Sequence, residues 1–179
     1  MDKKTLRKQF LELRLAGQWD EVQVKIIEHL RTYFTSRPTR CVGVYWPIKN
    51  EIDIRVVMME LCSQGLIERL ALPRLDGKFM RFFLWDCDTL LCRSSIGLIE
   101  PQSREEVVPD LLLVPCVALD GEGRRLGYGG GYFDRFLTQY PNVKTMGVLA
   151  QAFLVESLPH EPFDRKLDGW VTEVGLTEK

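Results

Sequence analysis

The run Leu111-Leu112-Leu113-Val114-Pro115-Cys116-Val117-Ala118-Leu119 leads shortly into Arg124-Arg125-Leu126-Gly127-Tyr128-Gly129-Gly130-Gly131-Tyr132-Phe133-Asp134, and this junction decides the fold. A nearly unbroken apolar run of strand length is expected of a strand covered on both faces of a parallel sheet. Beyond the glycines, Phe133, Phe136, Leu137 and Tyr140 recur at helical spacing. Glycines between a strand and a helix let the backbone take positive φ and bring its N–H groups against an anion, beside the positive end of the helix dipole. The two familiar glycine-rich fingerprints do not fit: Tyr132 stands where a dinucleotide loop needs its third glycine, and no Gly-Lys-Ser/Thr is present. A phosphate cradle of another kind is implied, with a plain chain-reversing turn as the other reading. The flanking arginines favour the cradle. Asp134 is either a first-turn acid answering the helix dipole or a carboxylate for magnesium beside phosphate.

Outward from this junction, helix and strand patterns alternate. Lys3 to Leu15 places Leu6, Phe10 and Leu13 on one helical face, and Glu21 to Phe34 does the same with Val22, Ile26, Leu30 and Tyr33. A buried strand is expected over Cys41 to Trp46, a helix over Ile54 to Gln64, and a strand over Glu68 to Leu72 stopped by Pro73. Lys78 to Leu84 alternates as a strand, and Trp85 to Pro109 reads as irregular, with turns near Gly97 and Glu100-Pro101. After the glycine loop come a helix to Tyr140, a strand over Val143 to Leu149, a short helix over Gln151 to Leu158 and a last strand over Leu167 to Thr172. The alternation predicts an α/β fold in three layers, an open and largely parallel sheet with helices on both faces. Ligands of such sheets sit beyond the carboxyl ends of the strands, where Trp46 with the loop to Glu51, Pro73-Arg74 and the glycine loop are expected to meet.

Composition narrows the partners. The chain of 179 residues suits a single domain, residues 1–179, and its 24 basic against 25 acidic side chains give a formal charge of -1. That balance points away from nucleic acid and from a polybasic membrane anchor, towards small molecules. Apolar runs fall far short of the ~20 residues that span a bilayer, and the N-terminus lacks a signal-peptide core. Five scattered cysteines, Cys41, Cys62, Cys87, Cys92 and Cys116, suggest a reduced cytoplasmic protein, Cys41 and Cys116 being small core residues in strands. With only His29 and His160 present, a histidine triad or histidine-rich metal site is not expected.

Lys3, Lys4 and Arg7 fall in the first turns of a helix, where the dipole disfavours exposed cations by about 0.3–1 kcal/mol each. An anionic ligand would offset that cost. Lys3 and Arg7, four apart, share a face and can reach one polyphosphate.

Taken together, Lys3-Lys4-x-Leu6-Arg7, Glu51-Ile52, Pro73-Arg74, Gly97-Leu98-Ile99-Glu100-Pro101, Pro115, the loop from Arg125 to Arg135, and Asp168-Gly169-Trp170-Val171-Thr172-Glu173 resemble the 5-formyltetrahydrofolate cyclo-ligases over nearly the whole chain. The resemblance implies the sheet shared with sugar-phosphate isomerases and CoA transferases (NagB/RpiA/CoA transferase-like). It implies an ATP- and magnesium-dependent conversion of 5-formyltetrahydrofolate to 5,10-methenyltetrahydrofolate, with release of ADP and phosphate; a cytoplasmic monomer is expected. In that chemistry the formyl oxygen is phosphorylated, N10 attacks the activated carbon, and phosphate leaves. Positioned charge does such work more than a strong base, which suits a chain poor in histidine.

Carried over by resemblance, Lys3, Arg7 and Arg125 are the catalytic cations on the triphosphate. The nucleotide site comprises Lys3, Lys4, Thr5, Leu6, Arg7, Arg125, Leu126, Gly127, Tyr128, Gly129, Gly130, Gly131, Tyr132 and Phe133. Trp46, Glu51, Tyr128, Gly129, Gly130, Gly131 and Tyr132 line the folate, with Glu51 accepting two parallel bonds from the pterin's amino-pyrimidine edge. Asp134 and Asp168 attend the magnesium, partly through water. Tyr128 and Gly130 stand where vertebrate relatives carry basic side chains, so the missing charge is sought in Arg74, Arg124 and Arg135. Other readings are a metal-free relative of the same fold, such as a sugar-phosphate isomerase or CoA transferase, and a non-catalytic nucleotide- or folate-binding module.

Overall fold

A computed structural model describes residues 2–161 and 164–179. Its elements are α1 (Lys3–Ala16), α2 (Asp20–Ser36), β1 (Thr39–Gly43), α3 (Arg55–Ser63), β2 (Ile67–Asp76), β3 (Phe79–Trp85), β4 (Leu91–Arg93), β5 (Ile99–Pro101), β6 (Glu106–Val107), β7 (Leu111–Pro115) and β8 (Ala118–Asp120). They continue with β9 (Arg125–Leu126), α4 (Tyr132–Gln139), β10 (Lys144–Val148), a 3-10 turn (Gln151–Phe153), β11 (Leu154–Val155), β12 (Gly169–Val171) and β13 (Leu176–Glu178).

The central sheet runs β13-β12-β10-β7-β1-β2-β3-β6. From β12 to β2 every pairing is parallel, and the antiparallel neighbours lie at the two sides. Period-two alternation divides each central strand between two cores. Val42, Leu70, Leu72, Leu111, Leu113, Met146 and Val148 face α2 and α3. Cys41, Ala71, Leu112 and Val114 face the opposite way, towards Phe136 and Leu137 of α4. The expected three layers are therefore present, and burying each large apolar side chain of β7 contributes roughly 1.5–3 kcal/mol.

Several local expectations are corrected. The apolar run 111–119 is two strands: β7 ends at Pro115, and β8 turns out of the central sheet to pair with β9 and β11 in a small sheet of its own. Cys116 lies between them and outside any strand, though buried. Pro73 does not stop β2, because β1 pairs with β2 only as far as Ala71, and beyond that point β2 has β3 alone as partner. A proline is tolerated where one side of the strand has no ladder to break. Glu100-Pro101 is strand β5, paired with β4. Residues 151–158 form one 3-10 turn and the short β11 in place of a helix.

α1 also departs from expectation. Leu13 is 59% exposed whereas Arg14 is 3% exposed, so the inward stripe is Leu6, Phe10 and Arg14. Leu6, Phe10 and Leu11 pack on Val117, Ala118, Leu126 and Leu158, which lays α1 across the small sheet. Asp120, 0% exposed, organises that sheet: its carboxylate accepts the N–H groups of Glu122, Arg124 and Leu158.

Candidate functional site

Docking α1 on the small sheet brings its basic first turns to the glycine loop between β9 and α4. Asp2 caps the helix, its carboxylate accepting the Thr5 N–H at 2.8 Å. Arg7 Nε donates to the Gly127 carbonyl at 2.6 Å. Gly129 has φ 95° and Gly131, the N-cap of α4, has φ 65°, conformations that disfavour any side chain. A Cβ built at Gly129 would lie 3.3 Å from the Arg7 guanidinium carbon, so the arginine lies directly across the loop. Lys4 and Thr5 are exposed at the same helix end, whereas Leu6 packs inward.

Arg125 lies beneath the loop. Its side chain is 6% exposed, Nη2 lies 3.2 and 3.3 Å from the Asp134 oxygens, and the guanidinium faces the Phe133 ring at 4.9 Å. Its Nε is the one buried side-chain polar atom among the described residues that lacks a hydrogen-bond partner. An orphaned donor of that kind costs about 1–3 kcal/mol, and a phosphate oxygen is the acceptor its chemistry suits. Lys3 Nζ pairs with Asp164 at 2.6 Å, an acid the sequence argument passed over.

The three arginines considered for the missing charge each have partners within the fold. Arg74 lies within β2, not at a strand end; it stacks on Phe83 and donates to the carbonyls of Pro101 and Ser103. Arg124 pairs with Asp120. Arg135 donates to the carbonyls of Lys78 and Gly130, both at 2.7 Å, and pins the glycine loop to the β2–β3 turn. Tyr132 reaches the same turn, its hydroxyl 3.4 Å from the Gly77 carbonyl.

Opposite the loop, the chain leaving β1 forms a second wall. Trp46 is half-buried, edge-on to Trp85, with the Arg55 guanidinium 4.0 Å from its ring centre. Lys49 and Asn50 take positive φ (48° and 60°). The Asn50 amide secures this strained turn by donating to the carbonyls of Arg14 and Gly17. The turn delivers Glu51 inward, with a side chain only 3% exposed. Its Oε2 accepts the Ile48 N–H at 2.9 Å and its Oε1 accepts the Tyr128 hydroxyl at 2.6 Å. Burial pushes the Glu51 carboxyl up, against the lowering effects of the Tyr128 and Ile48 bonds and of Arg14 and Lys49. Tyr128 is pushed well up by its own burial and by the Glu51 charge, so its hydroxyl keeps its proton and acts as donor.

Arg14 completes the wall and was invisible to an argument from apolar periodicity. Its Nη1 donates to the Tyr128 hydroxyl at 3.0 Å, and its Nη2 donates to the Cys116 carbonyl. A signal existed in its seven-residue spacing from Arg7, which puts both cations near one helical face.

Of the two expected magnesium acids, Asp134 lies at the cradle, against Arg125. Asp168 Oδ2 is taken up by the N–H and hydroxyl of Thr145, at 2.9 and 2.7 Å, three residues short of the carboxyl end of β10. Among the described residues no group of three or more His, Cys, Asp or Glu forms a metal cluster. A site of few carboxylates is what magnesium uses beside phosphates, and Asp134 fits it better than Asp168 does. A wider groove, about 790 Å³, lies at the amino ends of β1, β7 and β10, between Tyr33, Arg40, Tyr140 and Lys144. There Arg40 is already paired with Asp110 and Arg37 with Glu178.

A glycine loop crossed by cations and bonded through Tyr128 to a buried acid, beyond the carboxyl ends of a parallel sheet, marks the candidate small-molecule site of an α/β protein; Trp46 lies on the same turn but contacts Trp85 and Arg55. Comparison with known proteins names the class more narrowly. The model of the 5-formyltetrahydrofolate cyclo-ligase family matches residues 1–173, and the chain belongs to that family. It is 30% identical to the 5-formyltetrahydrofolate cyclo-ligase of Escherichia coli K12 (87% of this chain, 90% of the relative), and 28% identical to that of Haemophilus influenzae (83% and 84%). The solved 5,10-methenyltetrahydrofolate synthetase of Aquifex aeolicus superposes with a TM-score of 0.85 at 31% identity, covering 99% of this chain and 93% of the other. That of Mycoplasma pneumoniae gives 0.77 at 27% identity (97% and 99%).

Proposed function

We propose that this protein is a 5-formyltetrahydrofolate cyclo-ligase that couples ATP cleavage to closure of the 5,10-methenyl bridge, with both substrates held in one domain. The observation that carries this reading is the Tyr128–Glu51 hydrogen bond. Tyr128 belongs to the glycine loop and Glu51 to the turn after β1, so this bond sets the loop proposed for phosphate directly beside the acid proposed for the pterin.

In this account the Gly127–Gly131 backbone, Arg7, Lys3 and Arg125 bind the triphosphate, with Lys4 and Thr5 at its outer end and Leu126 and Phe133 shaping the cradle. Lys3 and Arg125 exchange their present acids, Asp164 and Asp134, for phosphate oxygens. Trp46, Tyr128 and Tyr132 flank the folate, and Glu51 accepts the amino-pyrimidine edge. The formyl oxygen attacks the γ-phosphorus, the bond from that phosphorus to the bridging oxygen breaks, and ADP departs. N10 then attacks the formyl carbon, its proton is lost, and the carbon–oxygen bond breaks to release phosphate. Arg125 and Arg7 stabilise the charge that spreads over the phosphoryl oxygens during transfer. Magnesium, with Asp134 as its protein acid and Asp168 at most through water, would neutralise the phosphates. The working form is a monomer in the cytoplasm, a compartment in keeping with the scattered free cysteines.

The test is the near-ultraviolet absorbance of the methenyl product. It should rise when purified protein receives 5-formyltetrahydrofolate, ATP and magnesium together, and stay flat when ATP is omitted. A flat trace with all three, while a known cyclo-ligase is active in parallel, refutes the assignment.

A further inference from the structure

Arg14 is buried to the same degree as Glu51, with side-chain exposures of 4% and 3%, yet it makes no hydrogen bond to it: Nη1 and Oε1 are 3.7 Å apart. Its Nη1 and Nη2 donate instead to the Tyr128 hydroxyl and the Cys116 carbonyl. An ionised carboxylate has about four acceptor positions, two on each oxygen. In Glu51 one on Oε1 is filled by Tyr128 and one on Oε2 by Ile48. One position on each oxygen is left, which is what a two-donor amino-pyrimidine edge needs.

We infer that Arg14 is a positioning residue for folate recognition: from a stand-off distance it sets a buried positive charge beside Glu51 and aims the Tyr128 proton at Oε1, without occupying the acceptor positions the pterin uses. The inference rests on the proposed folate role of Glu51. A hydroxyl carries one proton, so the bond Tyr128 accepts from Arg14 leaves that proton for Glu51. The space beside the pair, bounded by Arg14, Asn50, Glu51 and Cys116 among others, is about 10 Å³. That is room for one water at most, so solvent does little to screen the pair. The other groups bearing on Glu51 are Tyr45 and Cys116, both neutral and pushed up by burial, Tyr128, and the exposed Lys49 in its own turn. Arg14 is thus the buried cation of this set. Its main chain serves separately, since the Arg14 carbonyl accepts the Asn50 amide and the Trp19 indole N–H. A side-chain substitution leaves these backbone ties in place.

The experiment is a double-mutant cycle on 5-formyltetrahydrofolate binding without ATP, by titration calorimetry from pH 5 to 9, using the wild type, Arg14→Met, Glu51→Gln and the double variant, with Arg14→Lys as charge rescue. Circular dichroism checks folding. At pH 8 Arg14→Met should weaken binding about tenfold or more in the wild-type background, and less than about threefold when Glu51 is already Gln. Its binding should also fail at a higher pH on acidification than the wild type's, because Glu51 has lost the cation that lowers its carboxyl. Arg14→Lys should restore the wild-type acid limb, as a packing role would not. If Arg14→Met does not fold, the acid limb of Arg14→Lys decides: one displaced as far as that of Lys49→Met overturns the inference. Additive losses in the cycle, or an unmoved acid limb in Arg14→Met, overturn it while leaving the folate site standing. Wild-type binding by Glu51→Gln overturns the folate role of Glu51 and this inference with it.

Discussion

Replacing Gly129 with alanine attacks the contact between α1 and the glycine loop. Gly129 holds φ 95°, and its new methyl would sit 3.3 Å from Cζ and 3.5 Å from both Nη atoms of Arg7. The positive φ costs an L-residue roughly 1–2 kcal/mol in the fold. The methyl also pushes the guanidinium away from the Gly127 carbonyl, where Nε now bonds at 2.6 Å. A hydrogen bond from a charged donor is worth about 1.5–3 kcal/mol; if Arg7 loses that much on the triphosphate, kcat/KM for ATP falls roughly 10- to 100-fold. The control is Gly121→Ala, on a turn with ordinary φ, where an added methyl meets nothing within 4 Å. It should keep stability within about 0.5 kcal/mol and ATP kinetics unchanged. Initial rates against ATP at saturating folate, with urea unfolding of both variants, give the two numbers. A Gly129→Ala protein that loses stability but keeps the ATP kcat/KM of the control would show that Arg7 does not serve the phosphates from this position.

Asp134→Asn, which removes the charge facing Arg125 and the one proposed for magnesium, should lower kcat by about 100-fold or more with an unchanged circular dichroism spectrum; unaltered turnover would reduce Asp134 to a partner of the helix dipole. Asp120→Asn keeps one acceptor oxygen where the carboxylate now serves three N–H groups and Arg124, so urea unfolding should show a loss of about 2–4 kcal/mol. Folate binding by the wild type should weaken as pH falls through the raised Glu51 carboxyl, whose ionised form is the one proposed to accept the pterin; Glu51→Gln should bind weakly with no acid limb in the same titration. Burial pushes Cys41 up to about 11 and Cys116 up to about 12, so thiol reagents at pH 8 should label exposed Cys87 and spare both, as peptide mapping will report.

The layers were legible because β7 is apolar on both faces and α2 and α4 carry regular stripes. The glycine loop was legible because positive φ at Gly129 and Gly131 demands glycine. What stayed hidden depends on contacts distant in sequence. The exit of β8 from the sheet is set by pairing with Arg125 and Leu126, so an unbroken apolar run looks like one strand. Pro73 reads as a stop until β1 is seen to end its pairing before it. Arg14 is buried because Tyr128, more than a hundred residues away, lies opposite it, and Leu13 is exposed for the same reason. Asp164 and Asp120 likewise take their roles from Lys3 and from the Arg124 hairpin.

The central claim is that one cleft moves a phosphoryl group from ATP to the formyl oxygen of the folate. It is tested most directly by labelling that oxygen with a heavy isotope and analysing the released phosphate by mass spectrometry while methenyl absorbance is recorded. The account predicts methenyl product, ADP and labelled phosphate in equal amounts. Methenyl product accompanied by unlabelled phosphate, with the label in water, would contradict it.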